Sequence, residues 1–226
     1  KKLIFRKVDP NWANKWTSKE QIISSILFTT LSEELQLARD IQLCEYTNAK
    51  IHFSTITTSE SVKLIREAKS KGLNVSADTS SYHLILDDSK LESFNSNLKV
   101  NPPLRSFKDI KALKDGLKDG TIDAICSDHY PQNIENKKCE FDLASFGMIN
   151  LETSFAAANT ALKDILSIEE LISKFTSKPK SIIGLKNDAI EEGCLADLTL
   201  FNPKYKWKYE KEKIVSKSKN SGLLGK

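Results

Sequence analysis

Between residues 18 and 48, apolar positions recur at helical spacing in two pieces. The second piece opens at Ser32-Glu33-Glu34, carries Leu35, Ala38, Ile41 and Glu45, and stops at Asn48. The period then shortens. Lys50-Ile51-His52-Phe53-Ser54-Thr55-Ile56 is rich in β-branched and aromatic residues and predicts a strand. Ser59-Glu60-Ser61 opens a helix through Val62, Leu64, Ile65 and Ala68 to Gly72, and Leu73 to Ala77 predicts the next strand. Strand, helix and strand in so short a span form a parallel β-α-β pair, because a parallel neighbour needs a crossover. The alternation continues with a brief strand at Leu98-Lys99-Val100. A helix opened by Ser106-x-x-Asp109 then runs through Leu113 and Leu117 to a buried strand at Ala124-Ile125-Cys126. After a loop from Asp128 to Gly147 come an Ala-rich helix over about 150–166, a helix with a Ser167-x-x-Glu170 capping box, and a short helix from Pro179 to Gly184. From Asp188 the texture changes to short alternating strands, 196–201 and 206–209, joined by a turn at Asn202-Pro203-Lys204.

This alternation is α/β in class. It predicts a partial β/α (TIM-type) barrel over residues 1–186 and a small C-terminal β-element over 187–226. A complete eight-stranded barrel takes about 250 residues, and only about four barrel strands are counted here. The barrel is therefore incomplete within this sequence.

Composition narrows the function classes. The chain has 226 residues, 39% apolar and 28% charged, with 8 Gly and 6 Pro, as in globular proteins. Its net charge of +4 comes from 34 basic and 30 acidic residues spread evenly, with no basic block interleaved with aromatics, which argues against a nucleic-acid partner. No apolar run is long enough to span a bilayer, so no membrane role is expected. Cys44, Cys126, Cys139 and Cys194 share no C-x-x-C spacing and fit reduced thiols, from which a cytoplasmic location is expected. Metal-assisted hydrolysis needs three or more ligands around one open position. The chain has three histidines, His52, His83 and His129, in neither His-x-His nor His-Glu-x-x-His spacing.

Four runs carry a more specific likeness. They are Asn101-Pro102-Pro103-Leu104-Arg105; Asp119-Gly120-Thr121-Ile122-Asp123 leading into Ser127-Asp128-His129-Tyr130-Pro131; Phe146-Gly147 through Thr153; and Glu192-Gly193-Cys194-Leu195-Ala196-Asp197-Leu198. With Ala38-Arg39-Asp40 and Ser216-Lys217-Ser218-Lys219-Asn220, they resemble the dihydroorotases, cyclic amidohydrolases, over residues 32 to 222. The resemblance implies the C-terminal half of an amidohydrolase barrel with strands of its small β-domain. It implies the reversible cyclisation of carbamoyl aspartate to dihydroorotate in pyrimidine biosynthesis, and zinc as the metal. The family's His-x-His strand has no counterpart in this sequence.

Carried over residue by residue, the resemblance puts Thr55 and Tyr82 where the family has metal-ligand histidines. Hydroxyls are poor zinc ligands beside imidazole. Asp128 matches the family's proton-shuttling carboxylate, its bland alternative being a cap or loop residue. Gln132 stands where the family has a substrate-contacting His. Asn101 matches a substrate-binding Asn or is a turn residue before Pro102. Phe146 and Gly147 match the segment lining the pyrimidine pocket, or are core packing and a turn. His129 is as consistent with structural hydrogen bonding as with the site. His52 is expected to be a satisfied core residue, Trp12, Trp16 and Trp207 to pack, and Glu33-Glu34 to mark a helix N-terminus.

Three functions follow as expectations. The favoured one is a catalytically degenerate dihydroorotase-like subunit, a partner of aspartate transcarbamoylase as some family members are. The others are an active zinc enzyme whose metal-binding part lies outside this chain, and a relic that binds a pyrimidine-like acid.

Overall fold

Four parallel strands pair in the order in which the chain makes them: β1 (Leu3–Lys7), β2 (Lys50–Ser54), β3 (Val75–Ser80) and β4 (Ala124–Cys126). Ile4 lies opposite Ile51, Ile51 opposite Val75, and Asp78 opposite Ala124. This is a computed structural model describing residues 3–7, 20–185, 190–194 and 196–226, with side chains described from residue 30 onward.

Helices supply the crossovers. α1 (Glu20–Thr47) joins β1 to β2, α2 (Ser59–Ser70) joins β2 to β3, and α3 (Phe107–Lys118) leads into β4. α2 buries Val62, Ile65 and Ala68, one stripe of a 3.6-residue period, while β3 is buried along its whole length. The cap of α2 is Thr58, whose hydroxyl accepts from Ser61 N, and that of α3 is Ser106, which accepts from Asp109 N. α2 and α3 touch closely at Gly116, where a Cβ would stand 3.0 Å from Val62. Beyond the sheet come α4 (Ser154–Leu162), α5 (Ile168–Phe175) and α6 (Ser177–Ile183). α5 carries the expected capping box between Ser167 and Glu170, and α6 ends at Gly184 in the left-handed region.

The structure departs from expectation in five places. α1 is one helix rather than two, because Ser32 and Glu33 are buried and the Glu33 carboxylate is bonded outside its own helix. β1 was not apparent in the sequence. Residues 98–100 form no strand: a 3-10 turn covers Ser96–Leu98, and the Lys99 carbonyl accepts from Gly147 N instead of joining a ladder. The Ala-rich helix starts only at Ser154, because the Asn150 amide is drawn away to Ser81 and Ser127. Residues 196–201 and 206–209 are not strands. Leu198 is 66% exposed and Leu200 fully so, and a strand without a partner edge leaves its backbone groups to water. The turn at Asn202 does form, with its side chain accepting from Lys204 N. The boundary after residue 186, and Trp12 and Trp16, lie outside the described residues.

Two apolar clusters result. One lies between sheet and helices, with Phe53, Ile56, Ile65, Leu113, Ile125 and Leu162 among its members. The other is built by loops, with Tyr82, Leu98, Val100, Leu104, Met148 and Ile149 packed under Tyr209, Ile214 and Leu223. Trp207 stands edge-on to Tyr209, ring centroids 5.6 Å apart. Among the described residues, no helix is long and apolar enough to cross a membrane.

Candidate functional site

The strands β2, β3 and β4 end on one face, and the residues just past their C-terminal ends converge there, where β/α folds place their chemistry. Thr55 follows β2, Tyr82 lies in the 3-10 turn Ser81–Leu84 after β3, and Asp128 comes two residues after β4. Asp128 has φ 42°, a left-handed conformation that Asp tolerates better than most side chains. The Tyr82 phenol donates to Asp128 Oδ2 at 2.5 Å. Burial first, and the adjacent carboxylate second, push that phenol well above its usual range, so it is a neutral donor.

A second polar cluster runs beneath. Thr55 donates to Asp78 Oδ1 at 3.2 Å and sits 3.4 Å from Cys126 Sγ. His52 Nε2 donates to Asp78 Oδ2 at 2.9 Å, and its Nδ1 lies 2.9 Å from Ser76 Oγ. His52 is thus the satisfied core residue expected. Burial, with Asp78 adding, pushes the Cys126 thiol well above its usual range, so it is not a thiolate.

This donor set does not fit zinc. A threonine hydroxyl, a neutral phenol and a protonated thiol are weak ligands, and the phenol, Asp78 and His52 are already engaged with one another or with Asp128. Among the described residues, no three His, Cys, Asp or Glu side chains come together to hold a metal ion.

The remaining histidines are structural. His129 Nδ1 accepts from both Asn150 N, at 3.1 Å, and Leu151 N, at 3.0 Å, which puts its proton on Nε2. His83 is buried, its Nε2 donating toward the Pro102 and Pro103 carbonyls and its Nδ1 2.7 Å from Ser80 Oγ. Burial lowers its pKa to about 4.

Gln132, Phe146 and Gly147 come together beside the strand ends. The Gln132 amide donates to the Phe146 carbonyl at 2.8 Å, so it is spent within the loop. Phe146 is 38% exposed, with Lys99 Nζ 4.9 Å from its ring centroid. Gly147 has φ 117°, and a Cβ there would lie 2.4 Å from Tyr130 Cδ1, so only glycine fits. Asn220 reaches in from the tail, its Nδ2 donating to the Gly147 carbonyl and its Oδ1 accepting from Gln132 N. Asn101 is two residues past Lys99, whose carbonyl accepts from Gly147 N, and its Oδ1 is buried with no hydrogen-bond partner.

Sequence reasoning missed the group that holds the segment just past Thr55, at Thr57 and Thr58, in place. Glu33 and Glu34, expected at a helix N-terminus, lie mid-helix in α1. Buried Glu33 accepts from Thr57 N at 2.8 Å, from the Thr57 hydroxyl at 2.5 Å and from Ser61 Oγ at 2.8 Å. Arg105, also buried, reaches the same carboxylate at 3.4 Å and donates to Thr57 and Thr30, each at 3.0 Å. The available signal was Arg105 itself, a charge closing the Asn-Pro-Pro-Leu-Arg run.

Comparison with known proteins agrees with this architecture. The profile of the amidohydrolase family matches residues 10–223. A dihydroorotase of Geotalea daltonii is 41% identical over 195 residues, 86% of this chain and 46% of that protein. One of Elusimicrobium minutum is 40% identical over 230 residues, 99% of this chain and 53% of that protein. The chain spans about half the length of these curated relatives. Among solved structures, a D-hydantoinase (dihydropyrimidinase) from a Thermus species superimposes with TM-score 0.76 at 22% identity, covering 85% of this chain and 44% of that one. The inactive dihydroorotase-like domain of a Chaetomium thermophilum CAD-like multifunctional protein gives TM-score 0.53 at 26% identity, over 67% of this chain and 42% of that one. The chain belongs to the amidohydrolase family, and within that family its likeness is to the dihydroorotases.

Proposed function

We propose that this chain is a catalytically degenerate, dihydroorotase-like protein of pyrimidine biosynthesis that serves as a non-catalytic subunit beside aspartate transcarbamoylase. One observation carries the proposal: the carboxylate matching the family's proton shuttle, Asp128, accepts from the neutral phenol of Tyr82, at a position where the family has an imidazole ligand. Hydrolysis of a cyclic amide by this family's route needs hydroxide generated near neutral pH, and that needs a cation held by several good ligands. Thr55 and Tyr82 offer hydroxyls, and both are bonded within the protein. The likeness to a dihydroorotase-like domain described as inactive, within a multifunctional protein, supports a role in assembly.

The test is metal analysis of the purified full-length protein, combined with assays of dihydroorotate hydrolysis and carbamoyl aspartate cyclisation and with co-elution from aspartate transcarbamoylase. Background turnover without stoichiometric zinc, together with co-elution, is the expected result. One zinc per chain with turnover abolished by Asp128→Ala would restore the active-enzyme reading. The buried, unpartnered Asn101 Oδ1, two residues past the Lys99 carbonyl that accepts from Gly147 N, favours a second reading, a metal-free site for a pyrimidine-like acid. Saturable orotate binding lost in Asn101→Ala would support it.

A further inference from the structure

The loop between Gln132 and Gly147 contains a side chain whose burial the site chemistry leaves unexplained. Lys137 is only 5% exposed. An ammonium has three donors, and here all three have main-chain acceptors: the carbonyls of Ser96 at 2.8 Å, Ser145 at 2.8 Å and Lys99 at 3.2 Å. The Ser96 hydroxyl returns a bond to the Lys137 carbonyl. Burial, with the nearby Lys99 cation adding, lowers the pKa of this ammonium from 10.5 to about 8.

The three carbonyls belong to two segments that no ladder joins. Ser96 and Lys99 precede Asn101, and Ser145 directly precedes Phe146. The Lys99 carbonyl accepts from Gly147 N as well, so one oxygen serves both the ammonium and the Phe146–Gly147 segment. Carbonyl oxygens that converge on one point repel each other unless a cation or several donors lie between them. The Ser96 carbonyl also accepts from Lys99 N and the Lys99 carbonyl from Gly147 N, so an apolar filler of equal size strips each oxygen of its charge-assisted bond without supplying another, a costly loss in a buried place.

We infer that Lys137 is the positioning residue of this corner, an internal ammonium that gathers the carbonyls of Ser96, Lys99 and Ser145 and so sets Asn101, Phe146 and Gly147 in place. The inference rests on the reading of those three residues as ligand-facing. Its test uses no ligand, so the two stand or fall separately: orotate binding by the wild-type protein probes the reading, and local order probes Lys137.

Hydrogen–deuterium exchange of the full-length protein is compared for the wild type, Lys137→Met and Lys137→Ala. Charge-assisted hydrogen bonds are each worth tenfold or more in an opening equilibrium. Amides over 143–149 are therefore expected to exchange roughly tenfold faster or more in Lys137→Met, with α2 and α3 unchanged. In Lys137→Ala, n-butylammonium is expected to restore protection and n-butanol to fail. Wild-type protection in Lys137→Met would overturn the inference, as would equal rescue by the alcohol. Loss of protection in α2 and α3 along with the loop would make Lys137 a residue of general stability and would also overturn it.

Discussion

The sheet with its helices and the loop-built region above it each bury an apolar cluster, the first the larger, but are held together in different ways. In the first, β2, β3 and β4 satisfy one another's backbone groups, and the helices contribute periodic stripes such as Val62, Ile65 and Ala68. In the second, few ladders exist, and polar side chains bond to distant backbone instead: Lys137 to three carbonyls, Asn150 to Ser127 and Asn220 to Gly147, while Arg105, next to Leu104 of that cluster, ties it to Glu33 of α1. A strand-and-helix core spreads its stability over many small contacts. A loop-built region concentrates it in a few buried polar groups.

That contrast breaks first at Arg105. Arg105→Ala leaves the Glu33 carboxylate buried without its cation, and about 3–5 kcal/mol of stability is expected to be lost in urea denaturation. A loss under about 1 kcal/mol would show that Glu33 and its hydroxyl and amide donors suffice, and that the polar groups do not concentrate stability.

His83 sharpens the comparison through pH. Its pKa falls from 6.5 to about 4 in the folded protein, with burial as the main cause. A histidine buried neutral takes up its proton more readily when unfolded. Its stabilising effect is therefore complete above about pH 6.5, is lost progressively as pH falls toward 4, and amounts to something on the order of 3 kcal/mol. Urea midpoints at pH 7, 5.5 and 4 should fall in that order for the wild type and vary less in His83→Gln. Parallel slopes in the two proteins would assign the acid sensitivity elsewhere. Leu200→Ser marks the small end of the scale. With the side chain fully exposed, the change in stability should stay within about 0.5 kcal/mol. A larger loss would mean that residues 196–201 are covered in solution.

What could be read from the sequence follows the same division. The crossover from β2 through α2 to β3 was evident because period, caps and Gly72 all agree locally, and the Ser167 capping box was evident for the same reason. Asp128 and the Phe146–Gly147 pair were found through resemblance, and the structure puts Asp128 against Tyr82. The Glu33 and Lys137 networks were not evident, because their partners lie 24 and 41 residues away and no periodicity marks them. The strands expected at 98–100, 196–201 and 206–209 show the opposite error. Alternation says which face is apolar, but not whether a neighbouring edge exists to pair with.

The order of the sheet has a consequence for biosynthesis. Since each described strand after β1 pairs with its predecessor in the chain, each β/α unit can dock on the last as translation proceeds. The loop-built cluster has no such schedule, because Tyr209, Ile214 and Leu223 follow everything they cover. Until that stretch leaves the ribosome, Leu98, Met148 and Ile149 stay open to solvent and to chaperones.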